Sequence, residues 1–542
     1  MNFLKKTNTI LALIVCVAVF LRFSQLANNP PSLTWDEVAW GYNAYSLGIN
    51  AHDEFGKFLP ITYLESFGDF KPPLYAYLSI LPVMLFGLTE FSTRFASAFF
   101  GVLTVIMTFF LTRRIFAENK KRDVIAFLSA GILAISPWHI LLSRAAFEAN
   151  VASFFIVFGV FLFLEALKES KKRLLVVSLI SFVLSMYAFN TARIVVPILV
   201  LTLVLFNWKY LIFKIRRETI IAVLVFTLLF LPLFLFLLTP QARLRFNEVN
   251  IFSDASVIER TNQEIANDSR SLLSKVVHNR RFTYGVEYIK HYFDNLSPSF
   301  LFIKGDGNPK FSIQDVGQLY LWELPFLVFG GLMLFRKKEG FWYVLPLWLV
   351  IGIIPAGSAR ETPHALRIEA VIPTLQILVA YGLFNFLELL KSNKVRKAAI
   401  IIVSFAVFFN FYYFYHNYTT TYAAEFSGEW QHGYKEAILF LNTIDKNYDK
   451  VYVTEALGRP YAYVLFYKKY SPKDFLREAK VDREALGFVH VRSFGKYKFV
   501  KDVVHGQPRA VYVNTPEKVP STSRILKTVN LLNGKPALVI YE

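Results

Sequence analysis

Apolar residues in this chain gather in long, nearly uninterrupted runs rather than repeating with the period of a half-buried helix or strand. The runs cover residues 10–23, 92–112, 124–142, 149–167, 174–189, 193–208, 219–238, 319–335, 341–356, 366–389 and 398–415. Helices built from them have no polar face to turn to water, and most approach the roughly 20 residues that cross a bilayer. Between them stand basic clusters: Arg113/Arg114/Lys120/Lys121/Arg122, Lys168/Lys171/Lys172/Arg173, Lys209/Lys214/Arg216/Arg217, Arg336/Lys337/Lys338 and Lys391/Lys394/Arg396/Lys397. Lysine and arginine are retained on the cytoplasmic side, so these clusters, with Lys5 and Lys6, are read as inside. The pattern predicts a polytopic α-helical membrane protein with about 11 transmembrane helices, N-terminus cytoplasmic and C-terminus outside.

Leu74 to Leu88 is apolar too, yet as a crossing it would carry the Arg113–Arg122 cluster outside. It is expected to be an interfacial helix on the outer side, within an outer loop over 24–91; a second outer loop covers 239–318. From about Glu425 the pattern changes. Strand-like runs at Lys450–Thr454, Gly487–Val491, Ala510–Val513 and Ala537–Tyr541 mix with a helical segment near Tyr434 to Thr443. That mixture predicts a small α/β domain. The expected division is a membrane domain over 1–424 and an extracytoplasmic domain over 425–542.

Composition narrows the class. With 54% hydrophobic residues and 55 Phe in 542 residues, a water-soluble enzyme is excluded. The net charge of +19 resides mostly in the clusters between apolar runs, so it reports orientation in a cell membrane, and no nucleic-acid partner is expected. Cys16 is the sole cysteine and excludes a disulfide framework or a cysteine metal site. Lys5 and Lys6 before Ile10–Leu21 have the look of a signal peptide, but no small-residue cleavage site follows, so the segment is read as a retained helix.

Ionisable groups beside hydrocarbon are costly, so those kept there are candidate chemistry. Thr34 and Glu37 have the spacing of a capping box opening a helix through about Leu47. Asp36 has no capping duty, and the first turn favours its ionised form, which suits a general base. Lys71 precedes Pro72 and Pro73, which hold it extended and start a helix. A lysine at a helix N-terminus is electrostatically misplaced unless an anion joins it. Asp69 either pairs with Lys71 or binds a cation. The segment Arg360 to Arg367 repeats that logic: Pro363 predicts a helix start, with His364 and Arg367 on one face. Pairing with Glu361 or with a lipid headgroup is the plainer reading of Arg367. Arg144 and Glu148, four apart, suit either a salt bridge or a substrate site, and Tyr187, Asn190 and Arg193 form a weaker polar set.

In this order, Asp36-Glu37, Lys71-Pro72-Pro73, Ser143-Arg144 with Glu148, and the His364/Arg367 segment resemble the glycosyltransferase family 39 group. That group includes protein O-mannosyltransferases and lipid A aminoarabinose transferases, within the GT-C superfamily. The resemblance covers approximately residues 1–415 in layout, and the tail only as a generic outer domain. Glu148 stands where many relatives carry Asp, and Phe70 stands where some carry an acidic metal ligand. No cofactor is therefore assigned, and a divalent metal is left open. The resemblance implies a GT-C-like fold and a polyprenyl-phosphate-linked sugar donor, used on the outer face in one inverting displacement. Asp36 would be the base with Glu37 beside it, and Lys71, His364 and Arg367 would hold the donor phosphate. Asp69, Arg144, Glu148 and Arg193 are further substrate-site candidates. The acceptor (protein, lipid or glycan) stays open. Two other functions compete: a lipid-linked sugar transporter or scramblase, which would need polar residues through the membrane, and a non-catalytic assembly partner.

Overall fold

The computed structural model describes residues 2–483, 489–502 and 505–542. The chain forms two compact units. The first comprises 1–18, 101–141 and 149–414, the second 19–100, 142–148 and 415–542.

Among the described residues, five helices are long and apolar enough to cross a membrane: Glu90–Ile115, Glu148–Ala166, Ala192–Phe213, Arg216–Leu237 and Asn393–Phe426. A sixth span arises if Arg122–Ile135 and Pro137–Arg144, bent by 55°, count as one. The protein is thus a helical membrane protein. Shorter apolar helices include Leu174–Ala188, Val344–Gly357 and Thr374–Leu389. In the first unit the basic clusters meet through ion pairs: Arg113 with Asp123 at 2.6 Å, Arg114 with Glu165 at 3.4 Å, Lys121 with Glu388 at 2.6 Å and Lys172 with Glu218 at 3.1 Å. Asn119 also donates to Glu339 at 2.9 Å. Helices ending at Ile115, Ala166, Phe213, Lys337 and Leu389 run into this charged end. Those starting at Arg122, Leu174, Arg216, Val344 and Asn393 run out of it. The loop 239–318 is itself helical, with Pro240–Val249, Ala255–Asn267, Leu272–Val277 and Arg280–Asp294. Its last helix packs on Val344–Gly357, where Tyr288 and Tyr292 donate to the carbonyls of Ile354 and Val350.

One helix expectation fails. The run 366–389 does not start a helix after Pro363; residues 365–368 form turns, Glu369–Val371 a short 3-10 helix, and the α-helix opens only at Thr374. The physical reason is local. The amides of His364 and Ala365 are taken by the side chains of Asn295 (2.9 Å) and Asp306 (2.7 Å), and Pro373 interrupts the segment.

The second unit is built on a mixed sheet. A hairpin of β1 (Leu64–Ser66) and β2 (Asp69–Lys71) stands apart from it. The sheet has seven strands: β3 (Lys450–Thr454), β4 (Lys480–Arg483), β5 (Val489–Phe494), β6 (Tyr497–Val500), β7 (Ala510–Asn514), β8 (Ile525–Asn530) and β9 (Pro536–Tyr541), in the order β4-β5-β6-β3-β7-β9-β8. β3 is central and parallel to β6 and β7; the other pairings are antiparallel. Gly487 and Phe488, placed by the sequence in the second strand of the tail, lie outside the described residues. Apolar positions of β3, β7 and β9 share one core with Tyr434, Ile438 and Leu441, with helix Pro460–Tyr467, and with Val38, Ala39 and Tyr42 of helix Trp35–Asn50. Gly41 makes that approach feasible, because a Cβ there would lie 2.5 Å from the Phe466 ring. Residues of the segment 24–91 and the tail are therefore parts of one folded body, tied further by Tyr463 donating to the Leu33 carbonyl at 2.9 Å.

Candidate active site

Helix Trp35–Asn50 opens as its sequence predicts. The Thr34 hydroxyl accepts from the Glu37 amide at 3.3 Å, and the Glu37 carboxylate accepts from the Thr34 amide at 2.9 Å. Glu37 does more than cap. Arg94 Nε donates to its Oε1 at 2.8 Å, and the Ala146 amide donates to the same oxygen at 2.9 Å. Arg94, fully buried, spends its remaining donors on the carbonyls of Leu26, Pro30 and Ser32 and on Glu37 Oε2. Glu37 is thus the core of a buried ionic knot, whereas Asp36, one residue earlier, points to a half-exposed position at 51% exposure. Adjacent residues on a helix cannot face the same way, and here that separates two carboxylates into different environments.

Asp36 pairs with Lys71. The lysine arrives on β2, immediately before Pro72 and Pro73, and helix Leu74–Phe86 follows with Pro73 as its N-cap. The turn of the hairpin uses Phe67 (φ 61°) and Gly68 (φ 84°), both left-handed, the geometry of a tight two-residue turn. A phenylalanine in that region costs about 1–3 kcal/mol, so its surroundings must over-determine it. They do: the ring is buried and packs edge-on to Tyr461 at 5.8 Å. Lys71 Nζ lies 5.3 Å from both the Phe67 and Trp40 ring centroids. Burial alone would lower the Lys71 pKa, but Asp36, Asp69 and Glu148 outweigh it and raise it, so Lys71 remains an ammonium. Three candidate carboxylates thus act on one buried cation.

The other sequence candidates have different neighbours. Arg144 ends helix Pro137–Arg144 and Glu148 begins Glu148–Ala166, so the four-residue spacing does not lie on one helix. Arg144 instead donates to the carbonyls of Leu21 (2.7 Å), Ser24 (2.7 Å) and Asn29 (2.8 Å) and to the Tyr418 hydroxyl (3.0 Å). That set clamps the end of the first helix. In the first unit, Arg193 Nε donates to the Met186 carbonyl at 3.2 Å. Arg367 donates to the Glu361 carbonyl at 2.8 Å and sits 3.5 Å from its carboxylate. The His364 ring lies tilted against Phe311, 4.8 Å between centroids, and has Asp306 at 3.7 Å and Glu361 at 3.9 Å. Burial pushes Asp306 up to about 6, against its bonds from the Asn308 and Ala365 amides. Among the described residues, no three His, Cys, Asp or Glu side chains are placed to hold a metal ion.

Sequence reasoning missed Arg94 and Asp306. An arginine inside the run 92–112 was a usable signal for the first, since such a residue needs a buried partner. Asp306 has no comparable mark.

Residues 12–249 match the family model described as dolichyl-phosphate-mannose-protein mannosyltransferase. That portion, under half of the chain, carries Asp36, Glu37, Lys71, Arg144 and Glu148, and over it the chain is similar to this family of membrane glycosyltransferases. An uncharacterized protein of Aquifex aeolicus is 31% identical over 142 residues, covering 26% of this chain and 28% of that one. The fold is similar to that of ArnT from Cupriavidus metallidurans bound to undecaprenyl phosphate, with TM-score 0.53, 13% identity and coverage of 98% of this chain and 97% of that one. It is also similar to the Archaeoglobus fulgidus oligosaccharyltransferase tethered with an acceptor peptide, with TM-score 0.52, 15% identity and coverage of 85% and 63%. The chain thus spans less than two thirds of that oligosaccharyltransferase and under a third of the Aquifex relative.

Proposed function

We propose that this protein transfers a sugar from a polyprenyl-phosphate carrier to an acceptor hydroxyl at the extracytoplasmic membrane surface, with inversion. The observation that carries the reading is the pairing of half-exposed Asp36 with buried Lys71 at the start of helix Leu74–Phe86. Without substrate the lysine is already matched by Asp36. An arriving donor phosphate competes for the ammonium and the helix N-terminus, and Asp36 is then released to act as base. The acceptor oxygen attacks the anomeric carbon as Asp36 takes its proton. The bond from that carbon to the phosphate oxygen breaks, and the electron pair leaves with polyprenyl phosphate, stabilised by Lys71. Glu37 positions the helix that carries Asp36. We keep His364 and Arg367 as phosphate ligands and Asp69, Glu148, Arg144 and Arg193 as substrate-site residues within the proposal. Arg367 must leave Glu361 to serve. The undecaprenyl phosphate bound to the ArnT neighbour supports a lipid-phosphate donor.

The same reading includes eleven crossings with the basic end cytoplasmic and residues 425–542 outside. It is supported by ten helices that alternately enter and leave one charged end, to which the first helix adds an eleventh. Helix Leu74–Phe86, with 13 residues, is excluded from that count. At ~1.5 Å per residue it is about 20 Å long, short of the ~30 Å hydrocarbon core. A cysteine at Thr89 should react from outside; reaction from the cytoplasm alone would overturn the arrangement. For the chemistry, reconstituted protein should release polyprenyl phosphate and glycosylated acceptor in equal amounts, with inverted configuration. Protein that moves labelled donor across the bilayer without cleaving it is a transporter, and the transferase reading then fails.

A further inference from the structure

The second unit holds a crevice of about 380 Å³ in its C-terminal sheet. It opens where β3 and β6 end: Glu455 and Arg459 follow β3 and Lys501 follows β6, while Lys518 comes from the loop after β7. These three strands are parallel, and ligands of α/β sheets bind outside the carboxyl ends of their strands. Arg459, Lys501, Lys518 and His490 line it together with one carboxylate, Glu455, and the rings of Tyr461 and Phe499. Arg459 is the N-cap of helix Pro460–Tyr467, held left-handed at φ 49°, so its positive side chain stands at the positive end of a helix. Cations crowded at such a place repel one another unless an anion joins them. Their existing partners are modest: Arg459 Nη1 donates to the Val489 carbonyl at 3.2 Å, and Lys518 pairs with exposed Asp502 at 2.9 Å.

The crevice adjoins the Asp36–Lys71 pair through two packed contacts. The Arg459 guanidinium lies 5.3 Å from the Phe67 ring, the ring that Lys71 also faces. Gly458, next to it, abuts Trp35, the neighbour of Asp36: a Cβ at 458 would lie 2.8 Å from the indole.

We propose that this crevice is an acceptor subsite for a sugar bearing a phosphate or carboxylate. Arg459, Lys501 and Lys518 would hold the anion, Glu455 would accept from hydroxyls, and the Tyr461 and Phe499 rings would cover the apolar sugar face. Its volume suits one or two sugar units, within the range of small-ligand sites. The acceptor role rests on the transferase reading; the anion site does not.

The probe is glucose 6-phosphate against glucose, with binding to the full chain in nanodiscs read by saturation-transfer NMR. Glucose 6-phosphate should bind and glucose should not; equal signals, or none from either, overturn the proposal. Lys501→Glu with Lys518→Glu changes two exposed side chains and should weaken binding by about tenfold or more, the worth of one charge-assisted hydrogen bond. Arg459→Gln should do the same, and unchanged binding in both variants overturns the location. Asp36→Asn should leave binding intact, which separates this site from the reacting centre. In transfer assays the double lysine variant should raise KM for phosphorylated or carboxylated acceptors and leave neutral ones unaffected; an equal effect on both overturns the acceptor role. Should the donor prove never to be cleaved, the transferase reading fails while glucose 6-phosphate binding still decides the anion site.

Discussion

Lys71-Pro72-Pro73 and Arg360 to Arg367 are alike on paper, each placing cations beside a proline that should open a helix, yet they fold differently. After Pro73 the chain is free to run as an apolar helix over Leu74–Phe86. After Pro363 the first two amides are claimed by Asn295 and Asp306, and no α-helix forms until Thr374. The cations differ accordingly. Lys71 is buried against aromatic rings and held by a half-exposed aspartate, whereas Arg367 is already engaged by Glu361, which is 78% exposed. A proline marks a helix start only where the following backbone has no better hydrogen-bond partner.

The largest effect expected from this comparison is on Asp36. Asp36→Asn should lower turnover by ~10²–10⁴ while the protein folds normally, because the side chain is half-exposed and loss of a general base typically costs that much. Turnover measured with purified variant and lipid-linked donor checks it, and near-normal rates would remove Asp36 from the mechanism. Glu37→Gln should act on stability instead. As a cap alone it would cost about 1 kcal/mol, but breaking a buried ion pair costs about 3–5 kcal/mol. Glu37 is fully buried against Arg94, so the larger figure is expected. A thermal melt of the detergent-solubilised variant reads it directly, and a shift no larger than that of Thr34→Ala would return Glu37 to simple capping.

Much of this site was legible because its logic is local. Thr34 to Glu37 is a capping box by spacing, and Pro72 holds Lys71 extended by sterics. What was not legible is tertiary. Arg94 binds Glu37 across 57 positions, and Arg144 meets Tyr418 across 274. In the tail, β3 and β7 stand out because each carries a buried run of consecutive apolar residues, Val451–Val453 and Ala510–Val513. Edge strands β4 and β8 show mainly exposed residues, so Lys480-Val481-Asp482-Arg483 has no apolar alternation to find.

The second region should respond more weakly. Arg367→Ala is expected to weaken donor binding only a few-fold, since a ligand must first displace Glu361, and exposed pairs contribute about 0–1 kcal/mol. Lys71→Ala should weaken it more. If both contact one phosphate their effects are non-additive, and strict additivity in a double-mutant cycle would assign Arg367 another role.

The last effect expected is a pH-dependent slope at Glu54, which joins the sheet to the hairpin side of the same unit. Its carboxylate is buried and receives Asn43 Nδ2 at 3.2 Å and the Tyr461 hydroxyl at 3.3 Å, and Asn43 Nδ2 also reaches Ser66. Burial, aided by Asp53, pushes its pKa up to about 8 against the pull of Lys71. A carboxyl raised in the folded state keeps a proton that the unfolded chain, titrating at 4.5, has lost. Its contribution to stability is therefore fully present below the unfolded value and declines as pH rises through the window up to about 8, then stays level. Glu54→Gln is nearly isosteric and permanently neutral: its amide oxygen can accept from Asn43, and its NH₂ can donate to the Tyr461 oxygen. The variant should melt close to wild type in mild acid and fall less steeply towards pH 8. Melting temperature followed across that window checks the slope. Two parallel curves would mean that Glu54 is ionised in the folded protein and that Lys71, beyond serving Asp36, also neutralises this second carboxylate.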